Sequence, residues 1–332
     1  MENINELVKI FKHFGGKFEN AALGHREESG YYCYTLDSKK NTVISCPSNL
    51  LVDIVDVGVR QDGLYILNPE KYGKNMEFLE KYFAFHFNRA MLSQYFEQKQ
   101  QIDSLSSKDL SLISSVLPPY LYNFGDCDEL EYAKRQVFNC HKIKYHDKSV
   151  LMPFVTFLNH DKNGTGYDFT EDGISVSGKF DDEVFAEYNI GDVFMLGGTY
   201  GFITDTKLAY SIPVWFVMPN GTRVNIDRKL SDFSYTDNGH LRPLVEKQQG
   251  VITISWFPLY LEGAPRYPAM IARTIAAETN LSAEILLFDI VRLNLNALIP
   301  AAFHLKDSEN FFSRYVSTIA QRQLEIIAGT KN

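Results

Sequence analysis

The sequence of 332 residues predicts an α+β fold, built from small curled sheets with a helical insertion and a helical C-terminal lobe. Two observations carry this expectation. Short β-branched and aromatic runs lie on both sides of a long helical stretch, and helical periodicity dominates the last third of the chain. Strands and helices therefore come in blocks and do not alternate as βαβ units, which disfavours a Rossmann fold or an α/β barrel. The composition, 45% hydrophobic and 22% charged, is that of an ordinary folded soluble protein with enough chain to bury a sizeable core.

The elements follow in order. Ile4, Leu7, Val8, Phe11 and Phe14 recur at helical spacing and predict an amphipathic first helix, with no signal peptide expected. Tyr31–Leu36, Thr42–Cys46 and Leu51–Val59 read as short strands. Lys74–Gln101 has few breakers and reads as one long helix. Ser106–Val116 reads as a second helix, starting at a serine and stopped by Pro118 and Pro119, and Glu129–Phe138 as a third. Strand texture returns with the apolar run Leu151–Leu158, then Gly173–Ser177, Glu183–Tyr188 and Ile212–Val217. The polar stretch Asn225–Gly250 reads as a loop-rich connection, and Val251–Trp256 as the last strand. Pro268–Thr279, Ser282–Leu298 and Ser308–Ala328 read as helices. Glu284, Asp289 and Arg292 interrupt Leu281–Phe303, which argues for a core helix over a membrane span.

Three motifs stand in order along this scaffold. Leu151-Met-Pro-Phe-Val-Thr-Phe-Leu-Asn159-His160 is an apolar run with an early proline that ends in Asn-His. Glu183-Val-Phe-Ala-Glu-Tyr188 begins 23 residues after His160. Tyr200-Gly201-Phe202 begins 12 residues after Tyr188. In order, spacing and texture these resemble the Asn-His strand, the glutamate-to-tyrosine strand and the Tyr-Gly-Phe element of SET-domain protein methyltransferases. The helical stretch before the Asn-His strand and the helical C-terminal region resemble the Rubisco large-subunit methyltransferase group. The resemblance implies a SET domain over 1–224, with its helical insertion at about 72–141, and a mainly helical, substrate-binding-like domain over 225–332.

It also implies a chemistry, namely methyl transfer from S-adenosylmethionine to a lysine nitrogen of a protein or peptide substrate. The catalytic positions it implies are Tyr188 and Tyr200. The cofactor-binding positions it implies are Gly30, Arg135, Asn159, His160 and Phe202. A phenol that stays protonated at neutral pH can orient an amine lone pair. An asparagine amide suits the amino-acid end of the cofactor. A guanidinium such as Arg135, in Ala133-Lys-Arg-Gln-Val-Phe138, suits its carboxylate. His160 would contact adenine mainly through its backbone, so its ring is expected to be structural.

The sequence departs from the family pattern where an early Gly-x-Gly loop belongs. Glu28-Ser-Gly30-Tyr31-Tyr32 has one glycine followed by bulky tyrosines, and only glycine permits the closest backbone approach. Two other readings follow, a degenerate SET fold that binds a protein partner and a histidine N-methyltransferase.

Charge and cysteine usage bound the partners. The net charge of −8, from 33 basic and 41 acidic residues, comes with no Lys/Arg cluster, so a nucleic-acid surface is not indicated. A basic peptide segment suits the sign. Cys33, Cys46, Cys127 and Cys140 form no CxxC pair and no disulfide framework, which predicts a cytoplasmic setting. The set Cys127, Cys140, His141 and His146 has no common zinc-ligand spacing, so no metal is expected.

Overall fold

A computed structural model describes residues 4–26, 30–117, 127–188, 191–228, 236 and 240–329. Among the described residues there are nine α-helices, α1 (Ile4–His13), α2 (Met76–His86), α3 (Arg89–Asp103), α4 (Ser107–Val116), α5 (Glu129–His141), α6 (Val193–Tyr200), α7 (Tyr267–Thr279), α8 (Ala283–His304) and α9 (Phe311–Ile327). They stand beside several small sheets, so the fold class is α+β. The chain divides into two compact units, one of residues 1–99 and 126–188, the other of residues 100–125 and 189–332.

The first unit holds the N-terminal sheets. Lys17–Glu19, Thr42–Pro47, Gly173–Gly178 and Asp168–Thr170 form an antiparallel sheet. Ala21–Arg26 and Gly30–Thr35 form a hairpin with Arg26 opposite Gly30. Asn159–Thr165 pairs in parallel with Phe185–Ala186, with Asn159 opposite Phe185 and His160 opposite Ala186. One core joins these pieces. Phe154 is fully buried and meets Phe11, Phe18, Phe78 and Tyr82 with ring centroids 4.8–6.4 Å apart.

The apolar run Leu151–Leu158 is not the strand that its hydrophobicity suggests. The strand Lys148–Leu151 ends at the start of the run. Phe154 has a positive φ of 64°, Val155–Phe157 is a single 3₁₀ turn, and the next strand begins at Asn159. Tyr82 secures the bend through its hydroxyl, which takes the Phe154 amide at 3.3 Å and pairs with the Thr156 hydroxyl at 2.8 Å. The run is continuous because the chain turns inside the core, a case that periodicity alone does not separate from a buried strand.

The expected helix Lys74–Gln101 is two helices. Phe87 and Asn88 break it, and the Asn88 side chain caps both ends by giving its amide to the Phe85 carbonyl and accepting the Met91 N–H. The expected caps hold for α4 and α8, where Ser106 accepts from the Asp109 N–H and Ser282 from the Ile285 N–H.

A histidine pair closes the end of α2. The His86 and His141 rings meet edge to face at 5.3 Å, and Phe87 and Phe157 pack against His86. The His86 Nε2 is buried without a hydrogen-bond partner. Burial lowers the pKa of both rings, that of His141 to about 4, and for His86 the neighbouring imidazole adds to the effect. Both are therefore neutral in the folded protein while the unfolded chain titrates near 6.5. Stability is full above about pH 6.5 and is lost as the pH falls toward 4, by on the order of 2 kcal/mol for His141. Urea midpoints measured between pH 7.5 and 5 should fall in the native protein and flatten in His141→Phe. An unchanged slope in the variant would assign the effect elsewhere.

In the second unit, Val214–Val217, Arg223–Asp227, Val251–Ser255 and Leu244–Gln248 form a four-stranded sheet in that order. Leu208–Tyr210 pairs with Pro258–Leu261. The stretch Asn225–Gly250 was expected as loop but contributes two of these strands. Residues 229–235 and 237–239 within it lie outside the described residues. Leu244–Gln248 is an edge strand with no fully buried position, so its polar sequence carries little strand signal. Helix α8 packs on the four-stranded sheet and between α7 and α9, which pack on the two-stranded pair.

Candidate functional site

The hairpin and the parallel strand pair bring four of the sequence-predicted positions into one linked set. Asn159 opens its strand with its side-chain amide nitrogen on Glu183 Oε1 at 2.5 Å. Glu183 is 8% exposed, and its other oxygen accepts from Arg26 Nη1 at 2.7 Å. Arg26 stands opposite Gly30 at the hairpin tip, with its guanidinium 3.9 Å from the Tyr32 ring centroid. A buried carboxylate holding both an amide and a guanidinium is a fixed anchor, because its charge is compensated where solvent is excluded.

His160 and Tyr188 form the other end of the set. The His160 Nδ1 accepts the Tyr188 backbone N–H at 3.1 Å, and the two rings lie 5.4 Å apart. That bond assigns the ring proton to Nε2. The Tyr188 hydroxyl donates to the Leu158 carbonyl. The chain from Leu158 to His160 is thereby laced to Tyr188 at both ends of the tyrosine. Gly164 makes the close pairing possible, since a Cβ there would stand 2.7 Å from the Ala186 carbonyl carbon.

Gly30 has φ 75° and open space around its Cα. It serves the turn, for which glycine is the residue of least strain. Glu28 and Ser29 beside it lie outside the described residues. The bulky residues that follow have their own places. Tyr31 packs against Phe85 and Phe157 at 4.9 and 5.8 Å, and the Tyr32 ring lies over Gly24, where any Cβ would clash at 2.4 Å. Arg135 does not join the set through any bond described. It sits on α5 and its Nε pairs with Glu131 one turn earlier at 2.7 Å, both side chains being partly exposed. Cys33, near Glu183, is buried and its thiol is pushed far up by desolvation and then by the Glu183 charge, so it is no nucleophile.

Tyr200 and Phe202 belong to the second unit. Tyr200 ends α6, Gly201 terminates the helix in the left-handed region at φ 76°, and the Tyr200 and Phe202 rings stack at 5.8 Å. Asp192 starts α6, accepting the Met195 N–H at 3.1 Å. Its carboxylate also receives Arg228 through both terminal nitrogens at 3.0 and 2.6 Å, the Tyr210 N–H at 3.1 Å and the Gln323 amide at 3.2 Å. Asp192 and Arg228 are both fully buried. Asn189 and Ile190, which follow Tyr188, lie outside the described residues.

Sequence reasoning missed Arg26 and the Asp192–Arg228 pair. Nothing in the sequence near Arg26 marks it, since its role depends on a carboxylate 157 residues away. Asp192 had a readable signal as an N-cap before the apolar run Val193–Leu196.

No family model and no curated protein matches the chain. Solved structures do. One is the SET domain of LSMT bound to lysine and AdoHcy, with 15% identity and a TM-score of 0.45, covering 98% of this chain and 89% of that one. Another is the same domain bound to methyl-lysine and AdoHcy, with 15% identity and a TM-score of 0.46, covering 98% and 90%.

Proposed function

We propose that this chain is an S-adenosylmethionine-dependent protein methyltransferase that N-methylates a lysine side chain of a protein or peptide substrate. The observation that carries the reading is the linkage of Asn159, His160 and Tyr188, two of the three ordered motifs, at one end of a single strand pair. The cofactor supplies an electrophilic methyl on a sulfonium, together with an ammonium and a carboxylate that need partners. The residues present fit such a group. Glu183 fixes the Asn159 amide nitrogen, which leaves Asn159 Oδ1 as the acceptor for an ammonium.

The chain's own tasks are positional. His160 fixes the backbone at Tyr188. The Tyr188 hydroxyl, held on the Leu158 carbonyl, presents its oxygen to an incoming amine N–H. Exclusion of water around the acceptor would favour the neutral amine that can attack. In-line placement supplies the rest of the rate. Tyr200 is the second proposed catalytic tyrosine. Gly30, Arg135 and Phe202 complete the proposed cofactor set, with Arg135 required to leave Glu131. A cytoplasmic setting, without membrane or nucleic acid, is part of this reading.

One observation favours a second reading, a SET-like fold that binds a protein partner without turnover. One Asn159 amide proton and the Tyr188 hydroxyl proton are both committed within the protein. Titration calorimetry with S-adenosylmethionine separates the two. The methyltransferase reading expects binding in the millimolar range or tighter, weakened about tenfold or more in Asn159→Ala, the loss of one charge-assisted contact. Absence of heat and of a thermal shift at saturating cofactor sinks it. Mass spectrometry of methylated lysate proteins then tells lysine from histidine as the acceptor.

A further inference from the structure

We infer that α8 is a self-association surface, on which a second copy of this chain docks by an antiparallel, two-fold pairing of the same helix. Helix α8 is apolar on two opposite faces. Leu286, Ile290, Leu298 and Ala301 are buried against the unit's own core. On the far side Ile285, Phe288, Ile299 and Phe303 are exposed at 38, 65, 43 and 69%. At 100° per residue these four fall within about 60° of one another and nearly opposite the buried face. Four large apolar side chains left uncovered on one side of a helix are unusual unless something covers them.

The pattern is self-complementary in one register. Laid antiparallel on itself about its midpoint at Asn294, the stripe sets Ile285 opposite Phe303 and Phe288 opposite Pro300, one residue from Ile299. The same register sets Arg292 opposite Asn296, which avoids the Arg292–Arg292 contact that a four-residue slip would create. Pro300 supplies no N–H to close the helical turn on the Asn296 carbonyl, so that carbonyl is available to a guanidinium. Arg292 is charge-balanced within its own helix by Asp289 at 2.8 Å, so two copies meet without net repulsion. Opposing a patch to itself in this way is what an isologous dimer requires.

The area is sufficient. Exposed phenylalanines contribute on the order of 100–150 Å² each, and the stripe with its flanking Phe311, 65% exposed, amounts to roughly 500 Å² of apolar surface per copy. Two such faces with their polar rim come to about 1,200 Å², the lower bound of a standard stable interface.

Sedimentation velocity of the full chain between about 1 and 100 µM tests this. The expected result is a reversible dimer of twice the 38.0 kDa chain mass. Phe288→Asp and Phe303→Asp should each weaken it at least tenfold with unchanged circular dichroism and thermal unfolding. The paired variant Ile285→Cys with Phe303→Cys should give an intermolecular cross-link with a short bismaleimide, while Phe303→Cys alone should not. A folded chain that stays monomeric at 100 µM overturns the proposal. So does a dimer indifferent to Phe288→Asp, or a monomer that instead pellets with neutral phosphatidylcholine vesicles through the same residues. None of these outcomes depends on cofactor binding.

Discussion

Asp192→Ala should destabilise the second unit by about 3–5 kcal/mol, the largest effect expected of a single substitution here. Arg228 is fully buried and pairs with the Asp192 carboxylate, which takes five hydrogen bonds from four residues. Removing that carboxylate strands a charge that water cannot reach, and it also uncaps α6. The Arg228 contacts to the Ser211 and Tyr210 carbonyls, at 2.8 and 2.9 Å, satisfy protons but do not neutralise charge. Thermal unfolding should drop by roughly 6 °C or more. The companion Asp192→Ala with Arg228→Met should recover much of the loss, because the desolvated charge is gone. If the double variant is no better than the single one, the cost lies in the helix cap.

Tyr188→Phe should lower methyl transfer about 100-fold or more while leaving cofactor affinity within about threefold. On the methyltransferase reading the hydroxyl acts on the acceptor amine and not on the cofactor, so kcat falls and the calorimetric Kd holds. A purely structural role predicts another pattern. Losing a single bond to the Leu158 carbonyl costs about 1 kcal/mol of stability and leaves kcat near normal. Tyr200→Phe, read in the same assay, compares the second proposed tyrosine. Equal and small effects in both variants would remove the catalytic assignment of the pair.

Much of the scaffold was legible because local signals and tertiary structure agree. Ser106 and Ser282 precede apolar periodic runs and do cap their helices. The strands Gly30–Thr35, Thr42–Pro47 and Gly173–Gly178 follow β-branched and aromatic runs. Other elements are set by long-range contacts that no local reading contains. Val193–Tyr200 is helical although it contains Gly197-Gly198. The reason is α9. A Cβ on Gly197 would stand 2.6 Å from Ile319 Cδ1, and the Tyr315 hydroxyl donates to the Gly197 carbonyl at 3.0 Å. Gly197 is there to let two helices touch. Leu151–Leu158 is set in the same way, since its bend is fixed by Tyr82, more than 70 residues earlier.

The site was legible in part for a related reason. The motif residues Asn159, His160 and Tyr188 lie close in sequence and carry recognisable types. Their anchors Glu183 and Arg26 matter only once the strands have paired. Glu183 was visible as the first letter of a motif, and Arg26 was not visible at all.

The interleaving of the two units along the chain bears on synthesis. Helix α4, from residues 107–116, belongs with the unit that ends the chain. Its Asp109 takes hydrogen bonds from Ser308 and Ser313 at 2.7 and 2.6 Å. At about 5–20 residues per second, some 10–40 s pass between translation of Asp109 and of these serines. For that interval the nascent chain carries a helix whose Ile113 and Val116 await their cover. Meanwhile the first unit can close as soon as Tyr188 emerges. A gene fragment ending at residue 188 would thus yield one unit already complete together with an orphan segment of the other. Clean dissection requires excising residues 100–125 as well as truncating the end.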